Sequence, residues 1–133
     1  MEVNWDNGVA KNMLETIGRT PLVRLNSIPK NEGVKAQILC KIEWFSPTGS
    51  LKDRIYYEMI TKAIEEGELK PGMEILEVST GNAGIACAFV GKLSGYRVTI
   101  IMPEGMSEER KKIIRAYGAN IIFTPGAESD VDL

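Results

Sequence analysis

The sequence contains no histidine, which removes the common zinc ligand sets and every catalytic triad built on an imidazole. If the chain catalyses proton transfer, another group must carry the proton, and no metal is expected. Cysteine is nearly as scarce. Cys40 and Cys87 each sit among apolar neighbours without C-x-x-C spacing, so they read as small buried hydrophobes and not as a disulfide or redox pair. No apolar run approaches the roughly 20 residues that a bilayer crossing needs. The opening residues MEVNWDNGVAKN lack the basic-then-apolar order of an export signal, and a cytoplasmic protein is the expectation. Neither sign of charge dominates: 16 basic and 18 acidic residues give a formal net charge of -2. Because the signs are interspersed, no basic stripe exists to hold a phosphate backbone, and nucleic acid is not an expected partner.

What is present suits a folded domain, since 133 residues with 44% hydrophobic content can supply a core. GRTPLVRL places a Gly-Pro turn before a short apolar-alternating segment, 22–25, and NSIPKNEGVK reads as a loop. AQILCKIEW, 36–44, has the branched and aromatic content of a strand. From Leu51 the period changes to that of a helix running to Gly67, with Leu51, Ile55, Met59 and Ala63 repeating every four residues and Tyr56, Ile60 and Ile64 beside them. Strand patterns at 74–79, 97–102 and 120–124 then alternate with helical patterns at 84–94 and 108–117. This β-α-β-α-β order brings successive strands back in parallel. Ser107 is placed to cap the last helix. After the third strand, TPGAESDVDL falls where a βα unit would continue into a helix.

Two stretches could carry chemistry. In SPTGSLKDR, Ser50 as N-cap and Asp53 three residues on form the pattern of a capping box. Lys52 then stands near unpaired N–H groups whose field disfavours an ammonium. A lysine held as its neutral amine suits Schiff-base chemistry, although the residues alone favour a surface lysine draped over the first turn. In EVSTGNAG, Ser79, Thr80, Gly81, Asn82 and Gly84 would surround a free helix N-terminus, able to hold a carboxylate through N–H groups or simply to form a capped turn. Glu43 is either an orienting carboxylate or an edge charge, whereas Glu104, Glu108 and Glu109 read as helix-start acids. Neither the dinucleotide motif G-x-G-x-x-G nor a phosphate loop ending in Lys-Ser/Thr occurs.

Taken together, GRTPLVRLN, KIEWFSPTGSLKDR, EVSTGNAGIACAF and MPEGMSEERKKIIRAYGANIIFT resemble, in this order and spacing, the cysteine synthase and cystathionine β-synthase family. These are pyridoxal phosphate enzymes of the tryptophan-synthase-β-like fold. The resemblance implies an α/β fold with a mostly parallel three-layer sheet and helices on both faces, incomplete at the C-terminus. Residues 1–45 would be an arm whose strands belong to the large domain, and 46–133 a smaller mobile domain, truncated. The large C-terminal domain, with its Gly-rich phosphate loop, is not recognised.

By the same resemblance Lys52 forms the internal aldimine with pyridoxal 5'-phosphate and moves the α-proton, and Asn82 bonds the cofactor's 3′ oxygen. Ser79, Thr80 and Gly81, with Ala83, form the loop that grips the substrate carboxylate. The implied reaction is β-replacement on an activated serine, O-acetylserine or O-phosphoserine, by a sulfur nucleophile through an aminoacrylate, in a homodimer. Ala83 is a departure, because cysteine synthases commonly carry threonine there. The rival enzyme reading is β-elimination of the serine/threonine dehydratase type, which shares P-T-G-S-x-K, with Asp53-Arg54 leaning toward the synthases. A third reading is a non-catalytic binding module.

Overall fold

The computed structural model describes residues 8–126. Its elements are β1 (Leu22–Arg24), α1 (Ser27–Asn31), β2 (Leu39–Lys41), α2 (Lys52–Glu65), β3 (Glu74–Val78), α3 (Asn82–Leu93), β4 (Arg97–Pro103), α4 (Glu108–Ala116) and β5 (Asn120–Thr124). They form two separate sheets. β1 and β2 make an antiparallel ribbon in which Val23 faces Cys40. β3, β4 and β5 make a parallel sheet in that spatial order, with Ile75 beside Val98 and Ile100 beside Ile121.

α3 is the centre of the core because its sequence is small and apolar over most of its circumference, and Gly84 through Gly91 are all buried. Its glycines set the distance to the sheet. A Cβ added at Gly91 would lie 2.6 Å from Val98 Cγ2 and 3.1 Å from Ile75 Cδ1, and one at Gly84 would lie 3.1 Å from Ile100 Cγ2. α4 packs on the same side over β5, where the ammonium of Lys111 lies 5.2 Å from the centre of the Phe123 ring. Lys111 is buried and donates to the carbonyl of Glu104 and the carboxylate of Glu108, both at 2.7 Å. α2 closes the outer side of α3 through Tyr56 and Ile60.

The three strands and two helices expected from 74 onward are all present, each within about two residues of the expected ends. Three local expectations need correction. The segment 36–44 is a strand only over Leu39–Lys41, because the chain turns through a 3-10 helix at Glu43–Phe45 directly after Ile42. NSIPKNEGVK is not all loop, since Ser27–Asn31 within it form α1, with Pro29 buried in its first turn. The core-facing side of α2 is rotated from the stripe that the four-residue repeat suggested. Asp53, Tyr56 and Ile60 are buried, whereas Leu51, Ile55 and Met59 are exposed.

The other side of the parallel sheet carries no helix among the described residues, so they form only one of the two helical layers expected. Leu76, Val78 and Ile122 stand exposed on that side. The expectation for the tail falls mostly on residues 127–133, which are not among those described.

Candidate active site

Lys52 is the first residue of α2, and its side chain is half-buried. Among the described residues its ammonium has no hydrogen bond or ion pair, so the group is uncommitted. The loop before it is held tightly. Ser50 is buried, and its hydroxyl accepts from the backbone N–H of Lys52 at 3.2 Å.

The N-cap of α2 is Leu51 and not the expected Ser50, and the reciprocal bond of the expected capping box is absent. Asp53 is fully buried, but its carboxylate turns back to Thr48, accepting from the N–H at 2.8 Å and from the hydroxyl. This closes the P-T-G-S turn onto the helix instead of capping Ser50. The reason is steric reach: Gly49 at φ +81 folds Thr48 beneath the first turn, where an aspartate can meet it.

Arg54 makes a second anchor. Its Nε donates to Glu43 Oε2 at 2.9 Å, and its Nη2 donates to Glu43 Oε1 at 3.0 Å and to the Thr20 hydroxyl at 2.8 Å. Thr20 in turn donates to Glu43 at 3.0 Å. The forked guanidinium geometry fixes direction as well as distance. Its hydrogen bonding to Arg54, foremost, holds the Glu43 carboxyl below the usual carboxylate range. Glu43 is thus an orienting carboxylate that ties the end of the β1–β2 ribbon to the start of α2. The residues alone mark Asp53 as a capping-box acid and Arg54 as an ordinary charge, and the K-D-R triplet is the signal that could mark both as anchors.

The loop after β3 is shaped by Ser79, whose hydroxyl accepts from the N–H groups of Gly81 at 3.3 Å and Gly84 at 2.8 Å. Gly81 has open space above it, and a Cβ there would meet nothing within 4 Å. The Thr80 hydroxyl and Asn82 amide have no hydrogen bond among the described residues. Ala83 packs its methyl against the core. A cavity of about 470 Å³ has Thr48, Asn82, Ser107, Glu109 and Arg110 in its wall. It joins the lysine loop to the asparagine loop and the head of α4, although Lys52 is not part of its lining.

Behind this loop Tyr56 donates to Glu77 Oε2 at 2.8 Å, and burial, then that carboxylate, pushes the phenol well above its usual range. Burial likewise raises the Cys87 thiol to about 12, with the charge of Glu77 adding to the effect. Neither group is suited to proton transfer near neutrality. No cluster of metal-ligating side chains occurs among the described residues.

Lys52 opens α2 and Asn82 opens the packed neighbour α3, and neither side chain is hydrogen-bonded among the described residues. Residues 13–132 match the family described as pyridoxal-phosphate dependent enzyme, and the chain belongs to it. It is 45% identical over 121 residues to a probable cysteine synthase from Bacillus subtilis, covering 90% of this chain and 38% of that one. It is 47% identical over 117 residues to cystathionine beta-synthase from Apis mellifera, covering 88% of this chain and 23% of that one. The crystal structure of cysteine synthase from Entamoeba histolytica superposes with a TM-score of 0.84 at 44% identity, covering 95% of this chain and 38% of that chain. Crystalline O-ureido-L-serine synthase gives 0.79 at 42% identity, covering 89% and 36%. The chain therefore corresponds to the N-terminal part of such enzymes and spans less than two fifths of their length.

Proposed function

We propose that this chain supplies the lysine-bearing part of a pyridoxal 5'-phosphate enzyme that replaces the β-substituent of an activated serine, O-acetylserine or O-phosphoserine, with a sulfur nucleophile to form cysteine or a related amino acid. The observation that carries this reading is the uncommitted Lys52 amine, fixed by Asp53 and Arg54 at a helix start beside a loop whose Thr80 and Asn82 side chains are also free. The cofactor, when bound, supplies the electron sink for charge developing at the substrate's α-carbon. Lys52 Nζ would hold the cofactor at its aldehyde carbon and would be the base for the substrate's α-proton. Asn82 would bond the cofactor's 3′ oxygen. The open backbone at Gly81, with Ser79 and Thr80, receives the substrate carboxylate, and Ala83 supports that loop from the core side.

Residues 1–45 serve as an arm of the large domain and 46–133 as the smaller, mobile one, in a cytoplasmic homodimer. Kinship with a probable cysteine synthase of Bacillus subtilis supports replacement over elimination.

The test is to add pyridoxal phosphate to the purified chain, reduce with borohydride, and map the adduct by peptide mass. A stoichiometric label on Lys52 that disappears in Lys52→Ala is expected. Labelling scattered over surface lysines would sink the assignment. With the complete enzyme, activated serine plus sulfide should yield a cysteine-type product, and a keto acid instead would mean elimination.

A further inference from the structure

β3 turns one carboxylate toward its own helices. Its side chains alternate, so that Ile75 and Glu77 are half-buried while Glu74, Leu76 and Val78 are exposed. Ile75 lies against Gly91 of α3, and Glu77, two residues on, points into the same apolar layer. A leucine would fill this layer without the cost of desolvating a carboxylate. Among the described residues that carboxylate has one hydrogen-bond partner, the hydroxyl of Tyr56, which donates at 2.8 Å. Tyr56 is also where α2 departs from its apolar stripe, since the tyrosine is 8% exposed and its neighbour Ile55 is 40% exposed. Burying a phenol instead of an isoleucine is favourable only where the hydroxyl is bonded, so Glu77 favours the face that α2 turns inward.

Both ends of this bond sit one step from the candidate site. Tyr56 follows Lys52 by four residues, which places the two on one face of α2, a turn apart. Glu77 precedes Ser79 by two, and Ser79 continues the alternation toward α3, where a Cβ on Gly84 would lie 3.3 Å from its own Cβ. The Ser79 N–H donates to the carbonyl of Ile101 at 3.1 Å, and its hydroxyl gathers the N–H groups of Gly81 and Gly84. Apolar contact between α2 and α3 is non-directional and tolerates sliding of one helix on the other. A charge-assisted O–H···O bond does not, because its strength depends on angle and distance. Burial, foremost, raises the phenol's pKa above its usual range, so the donor stays protonated.

We infer that Tyr56 and Glu77 are positioning residues: their bond is a strut that sets the Lys52 turn against the strand end from which the Ser79–Asn82 loop springs. The amine and the carboxylate-binding loop then address one bound molecule. This rests on the assignment of Lys52 to the cofactor and of the loop to the substrate, and adds two core residues that act through their neighbours. Without the strut, α2 can shift along β3 while the core stays filled. The amine then loses its aim at the α-proton before it loses the cofactor.

The experiment compares the complete enzyme with its double variant Tyr56→Phe/Glu77→Leu, which exchanges both partners for apolar groups of similar shape. Such an exchange is close to neutral for stability, so the urea midpoint should be unchanged or higher. Borohydride should still label Lys52. The circular dichroism of the bound cofactor, which reports how the ring is held, should change. Exchange of the substrate's α-proton with solvent should slow about tenfold or more, with KM within about threefold of the unaltered enzyme. Glu77→Gln keeps an acceptor for the phenol and should preserve both readouts. Tyr56→Phe alone removes one oxygen atom and should show the same slowing, which keeps the test available should the double variant not fold. Variants that match the unaltered enzyme in dichroism and proton exchange would overturn the strut alone, as would a slowing that merely follows loss of folded protein. Absence of the Lys52 label in the unaltered enzyme would instead overturn the functional reading, and the strut with it.

Discussion

Asp53 and Thr48, five positions apart, close a loop on one buried carboxylate, which accepts from both the backbone N–H and the hydroxyl of the same threonine. Lys52 lies between them in the chain, so the position of its backbone is set by an interaction in which its own side chain takes no part. Asp53→Ala should lower stability by about 1–3 kcal/mol, because it leaves the half-buried Thr48 N–H without a partner. Thr48→Val removes only the hydroxyl donor and should cost about 1 kcal/mol. Urea unfolding of the purified chain measures both, and equal losses would contradict the geometry.

The Glu43–Arg54 pair predicts a pH dependence with a definite sign. Glu43 has a folded-state value below the ordinary 4.5, foremost because Arg54 bonds the ionised form. Its contribution is therefore complete above pH 4.5 and is lost as pH falls through the depressed folded value. Both side chains keep partial solvent contact, so screening limits the effect to about 1 kcal/mol or less. Glu43→Gln should flatten the acid limb of stability against pH by that amount while leaving its other features in place. An unchanged acid limb would show that the pair contributes nothing.

The two thiols should differ sharply in reactivity. Cys87 is fully buried, with its thiol raised to about 12, whereas Cys40 is half-buried on the ribbon. The thiolate is the reactive form, so at neutral pH iodoacetamide should modify Cys40 in the native chain and reach Cys87 only on unfolding. Peptide mass mapping distinguishes the two sites, and early labelling of Cys87 would refute its placement in the core.

Gly91 is where α3 approaches the sheet most closely. Gly91→Ala gains about 1 kcal/mol of helix propensity. The new methyl nevertheless meets Val98 Cγ2 at 2.6 Å, and overpacking of this kind costs about 1–3 kcal/mol. A net loss of stability by thermal or urea unfolding is expected. A gain would mean that the helix can move away from β4 without penalty.

Much of this protein is determined by its sequence alone. The alternation of period-two and helical patterns from residue 74 onward dictates the parallel βαβαβ order, because crossovers of that length admit little else. Four separated motifs likewise marked Lys52, Asn82 and the Ser79–Gly81 loop as the residues to examine. The tertiary structure decided matters of direction. A four-residue repeat shows that α2 has an apolar face, but packing chose Tyr56 and Ile60 for the core and left Leu51, Ile55 and Met59 outside. Asp53 fits a capping box equally well on paper, and only the fold of Gly49 brought Thr48 within its reach. Glu43 and Arg54 are separated by a turn and a loop, so their pairing depends on how the β1–β2 ribbon packs against α2, which periodicity cannot encode. The bare face of the sheet belongs to the same class of fact: alternation announces two apolar sides, and handedness determines which of them the chain's own helices can cover.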